Sequence, residues 1–251
     1  MIYFNKKKME QHVNALKWYH TIDLGRGIVT PGHYDLQKYL EHYHLPKKLK
    51  GKTALDIGTA SGFFSFELEK RGAKVTATEL PDWMAHDFGP NYQPDLTAEE
   101  LEKYLHEPFD LAKRVLHSKV ELVKTNIYDI SPDLLGMFDL VFCSSVLLHL
   151  TDPIKALWNI FSVTKTLAVI CTAIDNDSEK EPFARFFGQH GGTTWWLPNR
   201  PCLEAMVRTA GFDSVDWIST FQMDYRDGRS GHTCGVLHAW KTKEKDLNLN
   251  W

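Results

Sequence analysis

Thr53 to Leu80 reads TALDIGTASGFFSFELEKRGAKVTATEL, and this stretch decides the fold. Its short apolar run, Ala54-Leu55-Asp56-Ile57, suits a buried strand of a parallel sheet. Gly58 and Gly62 then bracket a tight turn whose interior includes the small residues Ala60 and Ser61. Phe63, Phe64, Phe66 and Leu68, set among Glu67, Glu69, Lys70 and Arg71, predict a helix that stops at Gly72, a residue suited to the left-handed C′ position. Val75-Thr76-Ala77-Thr78 predicts a second buried strand, closed by the acid Glu79. A strand, a glycine turn, a helix and a strand, with an acid about 20 residues past the turn, form the unit that grips an adenosine-type cofactor.

Two readings of that unit compete. A dinucleotide fold uses G-x-G-x-x-G so that the backbone can approach a pyrophosphate. The spacing here is Asp56-x-Gly58-x-Ala60-x-Gly62, with an acid near the end of the first strand. It resembles motif I of class I S-adenosylmethionine (SAM) methyltransferases, D/E-x-G-x-G-x-G, with alanine at the middle glycine. SAM has no phosphate but carries an α-amino group and a sulfonium cation, so a carboxylate beside the turn is useful rather than repulsive. The resemblance implies that Asp56, Gly58, Thr59, Ala60 and Gly62 surround the cofactor, while Glu79, with Leu80 beside it, accepts both ribose hydroxyls. The plainer alternative is an α/β sandwich whose glycines only shape a turn. The expected fold is α/β: a Rossmann-like seven-stranded class I methyltransferase sheet, with an N-terminal helical lid and an insertion before the last helix.

Composition sets outer limits. At 251 residues, 43% hydrophobic and 24% charged, the chain matches one ordinary globular domain with modest additions. Its formal net charge is −3, and no basic block stands out beyond Lys6-Lys7-Lys8 and Lys47-Lys48-Leu49-Lys50. That balance leans towards a small-molecule substrate rather than nucleic acid. Cys143, Cys171, Cys202 and Cys234 are far apart and form no CxxC, which argues against a disulfide framework or zinc site and for a reducing compartment. No apolar run reaches about 20 residues and no signal-peptide pattern opens the chain, so a cytoplasmic protein without a membrane partner is expected.

Outward from the core unit, residues 1–50 read as the lid, 51–242 as the SAM-binding domain with its insertion at 179–200, and 243–251 as a tail. A helix is expected over Lys8–Tyr19 and another over Tyr34–Tyr43. Between them, WYHTIDLGRGIVTPG (18–32) is rich in aromatics and turn residues. Together with SVLLHLTDP (145–153) and TWWLPNR (194–200), this stretch resembles the family of tRNA wobble-uridine (mo5U34/cmo5U34) methyltransferases and their relatives of unassigned substrate. The likeness runs from about residue 15 to 220. Carboxymethyl-transferring members of that family have a tyrosine just before the histidine that matches His149. Leu148 stands there in this chain, which favours ordinary SAM.

The remaining site candidates follow the chain. Trp18, Tyr19 and His20 are placed in a water-excluding lid, with Trp18 and Tyr19 as substrate contacts. Trp83 and Phe88 either wall the pocket or pack their segment onto the sheet. Thr97 with Glu100 is a capping box, and Pro108 predicts a break in the following helix. A third strand over 120–124 is followed by Asn126 and Ile127, which the resemblance places at the adenine. A fourth, over 138–145, ends at Ser144 and Ser145, beside the methionine part of SAM. His149 on the next loop is either a structural residue or a base that titrates near neutral pH. Candidate bases are His149, His20 and His190, in that order. The aperiodic insertion offers Trp195, Trp196 and Arg200 to an acceptor, the bland reading of Trp195 being the core of a small cap. A strand over 167–174, a helix over 202–210 and an antiparallel pair over 215–220 and 233–241 complete the sheet. Methyl transfer requires no metal and no covalent intermediate. Three functions stand: methylation of a small metabolite, modification of a tRNA wobble uridine, or SAM binding without turnover.

Overall fold

The seven strands of the main sheet form in the order the sequence predicts, and two further short strands lie in the insertion. In chain order they are β1 (Thr53–Ile57), β2 (Lys74–Glu79), β3 (Glu121–Lys124), β4 (Phe138–Ser144), β5 (Thr164–Ala173), β6 (Ala184–Phe186), β7 (Trp196–Pro198), β8 (Ser214–Met223) and β9 (His232–Trp240). The structure is a computed structural model describing residues 6–89, 91–94, 96–176, 180–188 and 193–241. Seven strands form one sheet in the order β3-β2-β1-β4-β5-β9-β8; β1 to β5 are parallel, and β9 runs antiparallel to both β5 and β8. The order reverses at β1, between β2 and β4, so a crevice opens there at the strands' carboxyl ends. Register aligns those ends: Ile57 lies opposite Thr78 on one side and Cys143 on the other.

Side-chain alternation divides the sheet into two buried faces. Ala54, Ala77, Phe142 and Val169 join one cluster, with Phe64 and Leu68 of α2 (Phe63–Lys70, after α1 at Lys6–Ala15) and Phe109 of α3 (Ala98–Leu116). Leu55, Ile57, Val141 and Ile170 join the other cluster. They pack there, past α4 (Pro132–Leu135), with Leu157 and Ile160 of α5 (Pro153–Val163) and Leu203 of α6 (Arg200–Thr209). Fully burying side chains of this size contributes about 1.5–3 kcal/mol each, which holds the helices on both faces of the sheet.

Several expectations are corrected. α3 runs unbroken through Pro108; Leu101 and Leu105 before it, and Phe109, Leu111 and Ala112 after it, are buried. Tertiary contacts on both sides thus offset the lost backbone bond, a cost of about 3 kcal/mol. The first helix ends at Ala15 rather than Tyr19, and the second is a 3₁₀ helix over Leu36–Tyr43. The insertion holds an antiparallel pair, β6 with β7. His190 and the tail from 243 lie outside the described residues. Among the described residues, no helix is long and apolar enough to cross a membrane.

Candidate active site

The turn after β1 takes left-handed backbone at Gly58 (φ 71°), Ala60 (φ 47°) and Gly62 (φ 95°). Two of these positions also need the missing Cβ. An added one would lie 2.6 Å from Val146 Cγ2 at Gly58 and 2.5 Å from the Phe66 ring at Gly62. Ala60 takes the same backbone as a non-glycine residue and is anchored there: its N–H donates to Glu79 Oε2 at 2.8 Å. The Leu80 N–H donates to Glu79 Oε1, also at 2.8 Å. The acid that closes β2 is therefore tied directly to the turn that closes β1.

Asp56 has its own network. Ser65 Oγ donates to Asp56 Oδ2 at 2.6 Å, which leaves Thr59 Oγ1, 2.8 Å from Ser65 Oγ, as the donor to that serine. Both acids are buried, and burial raises both carboxyls, Asp56 from 3.8 to about 6. Between those pH values the folded chain keeps a proton on Asp56 that the unfolded chain releases, so the stability tied to this group falls as pH rises through the window. At about 1.4 kcal/mol per pH unit the loss is about 3 kcal/mol. Asp56→Asn is therefore expected to gain melting temperature over the parent protein between about pH 4 and pH 7. Parallel melts across that range check it, and identical pH dependence would refute it.

A cavity of about 300 Å³ lies over these strand ends. On its β2–β3 side the wall includes Leu80, Trp83, Asn126, Ile127 and Tyr128. The Asn126 side chain is engaged within the protein: Oδ1 accepts the Tyr128 N–H (3.0 Å) and Nδ2 donates to the Ala85 carbonyl (3.2 Å). The Trp83 indole N–H is buried with no partner among the described residues, an orphan donor at the cavity wall. Trp83→Phe is expected to weaken S-adenosylhomocysteine (SAH) binding by about fivefold, the effect of one hydrogen bond of about 1 kcal/mol, measured by calorimetry. On the β4 side, Ser144 Oγ lies 3.4 Å from Tyr43 Oη, and the Ser145 N–H donates to the Cys171 carbonyl at 2.9 Å.

Two histidines at the cavity have opposite tautomers. His149 Nδ1 donates to the Thr193 carbonyl (2.5 Å), which leaves a lone pair on Nε2. His20 Nδ1 accepts the Phe63 N–H (3.4 Å), so its own proton sits on Nε2. Burial lowers His20 to about 3 and holds His149 below the usual imidazole value. Both are neutral at pH 7, but only His149 has an acceptor nitrogen that no described residue occupies.

Of the other candidates, Tyr19 lines the cavity, and its N–H donates to Ser61 Oγ at 3.0 Å. Trp18 does not reach it. It is buried in the core, where its indole N–H donates to the Val13 carbonyl (2.8 Å), so the aromatic run does not act as one covering. Gly62 shapes the turn from behind, outside the cavity wall. Trp196 bonds the Thr151 carbonyl; Arg200 pairs with Glu204 and lies over the Trp217 ring; neither lines the cavity. Trp195 donates its indole N–H to the Asp87 carbonyl. Asp87 itself, which the sequence reading passed over, lines the cavity, and its Oδ2 accepts from Tyr128 Oη, the Thr151 N–H and Thr151 Oγ1. Its only sequence signal is an acid within the aromatic run that follows β2. The acids at the cavity are Asp56, Glu79 and Asp87, and none of its described lining residues is lysine or arginine.

A sheet of this order, with an acid closing its second strand against a glycine turn, is the framework of a class I methyltransferase, the enzymes that use SAM. The residues present fit that cofactor: a carboxylate for the ribose, an orphan indole N–H and, among the described lining residues, no lysine or arginine to oppose a sulfonium. The chain belongs to the family described as "Methyltransferase domain", which matches residues 32–216. It is 26% identical over 190 residues to a tRNA U34 carboxymethyltransferase of Pseudomonas putida, covering 72% of this chain and 52% of that protein. It is 20% identical to the Helicobacter pylori protein of the same name, covering 72% and 64%. The chain thus spans about half the length of the Pseudomonas relatives it matches. The N-terminal domain of EvdMO1 with SAH bound has a similar fold, with a TM-score of 0.63 at 15% identity over 94% of this chain and 97% of that one. So does a Burkholderia thailandensis 1,6-didemethyltoxoflavin-N1-methyltransferase, with a TM-score of 0.51 at 16% identity over 83% and 75%.

Proposed function

We propose that this enzyme transfers a methyl group from SAM to an oxygen or nitrogen atom of a small-molecule acceptor, with His149 taking the proton. The observation that carries the reading is the Glu79–Ala60 bond. It fills the turn N–H that a pyrophosphate would need and sets a carboxylate in its place. Bound SAM supplies an electrophilic methyl group on its sulfonium. The protein's part is to align the acceptor and remove a proton. Glu79 and Leu80 hold the nucleoside end, Ser144 and Ser145 edge the opposite end, and His149 Nε2 receives the proton. The solved neighbours support SAM as the cofactor: one was crystallised with SAH, another with SAH and 1,6-didemethyltoxoflavin. We further place the enzyme in the cytoplasm, in keeping with its four free cysteines.

A tRNA wobble uridine is the second reading, favoured by the names of the curated relatives. Against it stand Leu148, the net charge of −3 and the lack of any cation among the described cavity residues to pair with a transferred carboxylate. Incubating the protein with methyl-labelled SAM and separate tRNA and metabolite pools tests both. Label in small molecules is the expected result. Label in tRNA alone would overturn it, as would SAM binding with no transfer into either pool.

A further inference from the structure

The cavity has two ends, set by the sheet order. Trp83, Asn126 and Ile127 stand over β2 and β3, whereas Tyr19, Tyr34, Phe142 and Met223 wall the end over β4 and towards β8. Tyr19 and Tyr34 form a connected aromatic surface, with ring centroids 5.2 Å apart, and Tyr34 stacks on Tyr225 at 4.8 Å. His149 lines the cavity, and no described residue bonds its Nε2 lone pair.

We propose that the acceptor is an uncharged, flat aromatic molecule bearing one N–H or O–H and no carboxylate or phosphate, held against Tyr19 and Tyr34 with its reacting atom at His149 Nε2. This deepens the methyl-transfer reading and rests on it. An anionic group brought in here would shed its water shell and meet Asp56, Glu79 and Asp87, with no lysine or arginine among the described lining residues to pair with it. The three lining histidines cannot replace such a cation, because burial holds His20, His86 and His149 below the usual imidazole value. Aromatic walls favour a flat partner through offset or edge-on contact. In the step itself, the acceptor's lone pair forms the new bond to the methyl carbon. The sulfur–carbon bond breaks with its electron pair left on sulfur, and the acceptor's N–H or O–H proton passes to His149 Nε2. Charge balances: the positive charge leaves the sulfonium and reappears as imidazolium.

The test uses the full chain saturated with SAH and a library of matched aromatic fragments, among them hydroxyindole and umbelliferone, each against its carboxylated counterpart. Calorimetry of SAH alone comes first, and absence of binding there would refute the cofactor reading itself. With SAH bound, neutral fragments are expected to bind at least about tenfold more tightly than their carboxylated partners (about 1.4 kcal/mol). They should also cross-relax with Tyr19 and Tyr34 ring protons. Carboxylated members binding as well or better, or no neutral fragment binding at all, would overturn the proposal while leaving SAH binding intact.

Discussion

Replacing Glu79 with alanine is expected to reduce affinity for SAH by on the order of 100-fold or more. The carboxylate is buried and, among the described residues, accepts only the Ala60 and Leu80 N–H groups, one on each oxygen, so each oxygen keeps a lone pair for a ribose hydroxyl. Hydrogen bonds to a charged group are worth about 1.5–3 kcal/mol each, and two at the low end give about 3 kcal/mol. The alanine variant also releases Ala60 from the bond that anchors its left-handed backbone. Glu79→Gln keeps the shape and one acceptor oxygen, so a smaller loss of about tenfold is expected. Calorimetry with SAH on both variants, with melting curves to confirm folding, decides the matter. An alanine variant binding within about threefold of the parent protein would place the nucleoside elsewhere.

His149→Gln should lower kcat by about 10²–10⁴-fold, the usual range for losing a positioned general base, while SAH affinity stays within about twofold. The pH profile gives a sharper signature. His149 must be unprotonated to act, and burial holds it below the usual imidazole value. The rate of the parent enzyme should therefore rise with pH through a value below 6.5 and then level off, and the glutamine variant should lack that limb. His20→Gln is the control. Its Nδ1 is occupied by the Phe63 N–H and its Nε2 carries a proton, so its loss should leave the limb in place. A limb that vanished with His20 and survived without His149 would reverse the assignment.

The sequence made the sheet and the glycine turn legible because both are written locally. Asp56, Gly58, Gly62 and Glu79 sit within one strand–helix–strand unit, where periodicity and glycine spacing determine the backbone. The details that depend on long-range contacts were not legible. Trp18 and Tyr19 are neighbours in an aromatic run, yet one enters the core and the other faces the cavity, a split set by Val13 and Ser61. Asn126 lines the cavity, as expected, but the bonds of its side chain to the Tyr128 N–H and the Ala85 carbonyl have no signal in the sequence. Pro108 was read as a break because a local rule says so, and the packing on both flanks overrides it. The tautomers of His20 and His149 depend on partners 43 and 44 residues away, a separation that no local pattern records.

The bonds converging on Asp87 bear on how reactants come and go. Its carboxylate and carbonyl fasten Tyr128, Thr151 and Trp195 to one point, so the outer rim of the cavity cannot slacken at a single corner. Loosening that knot would free three stretches of chain together. Turnover would then be paced by that unfastening, and a first round of methylation would outrun the rounds that follow it.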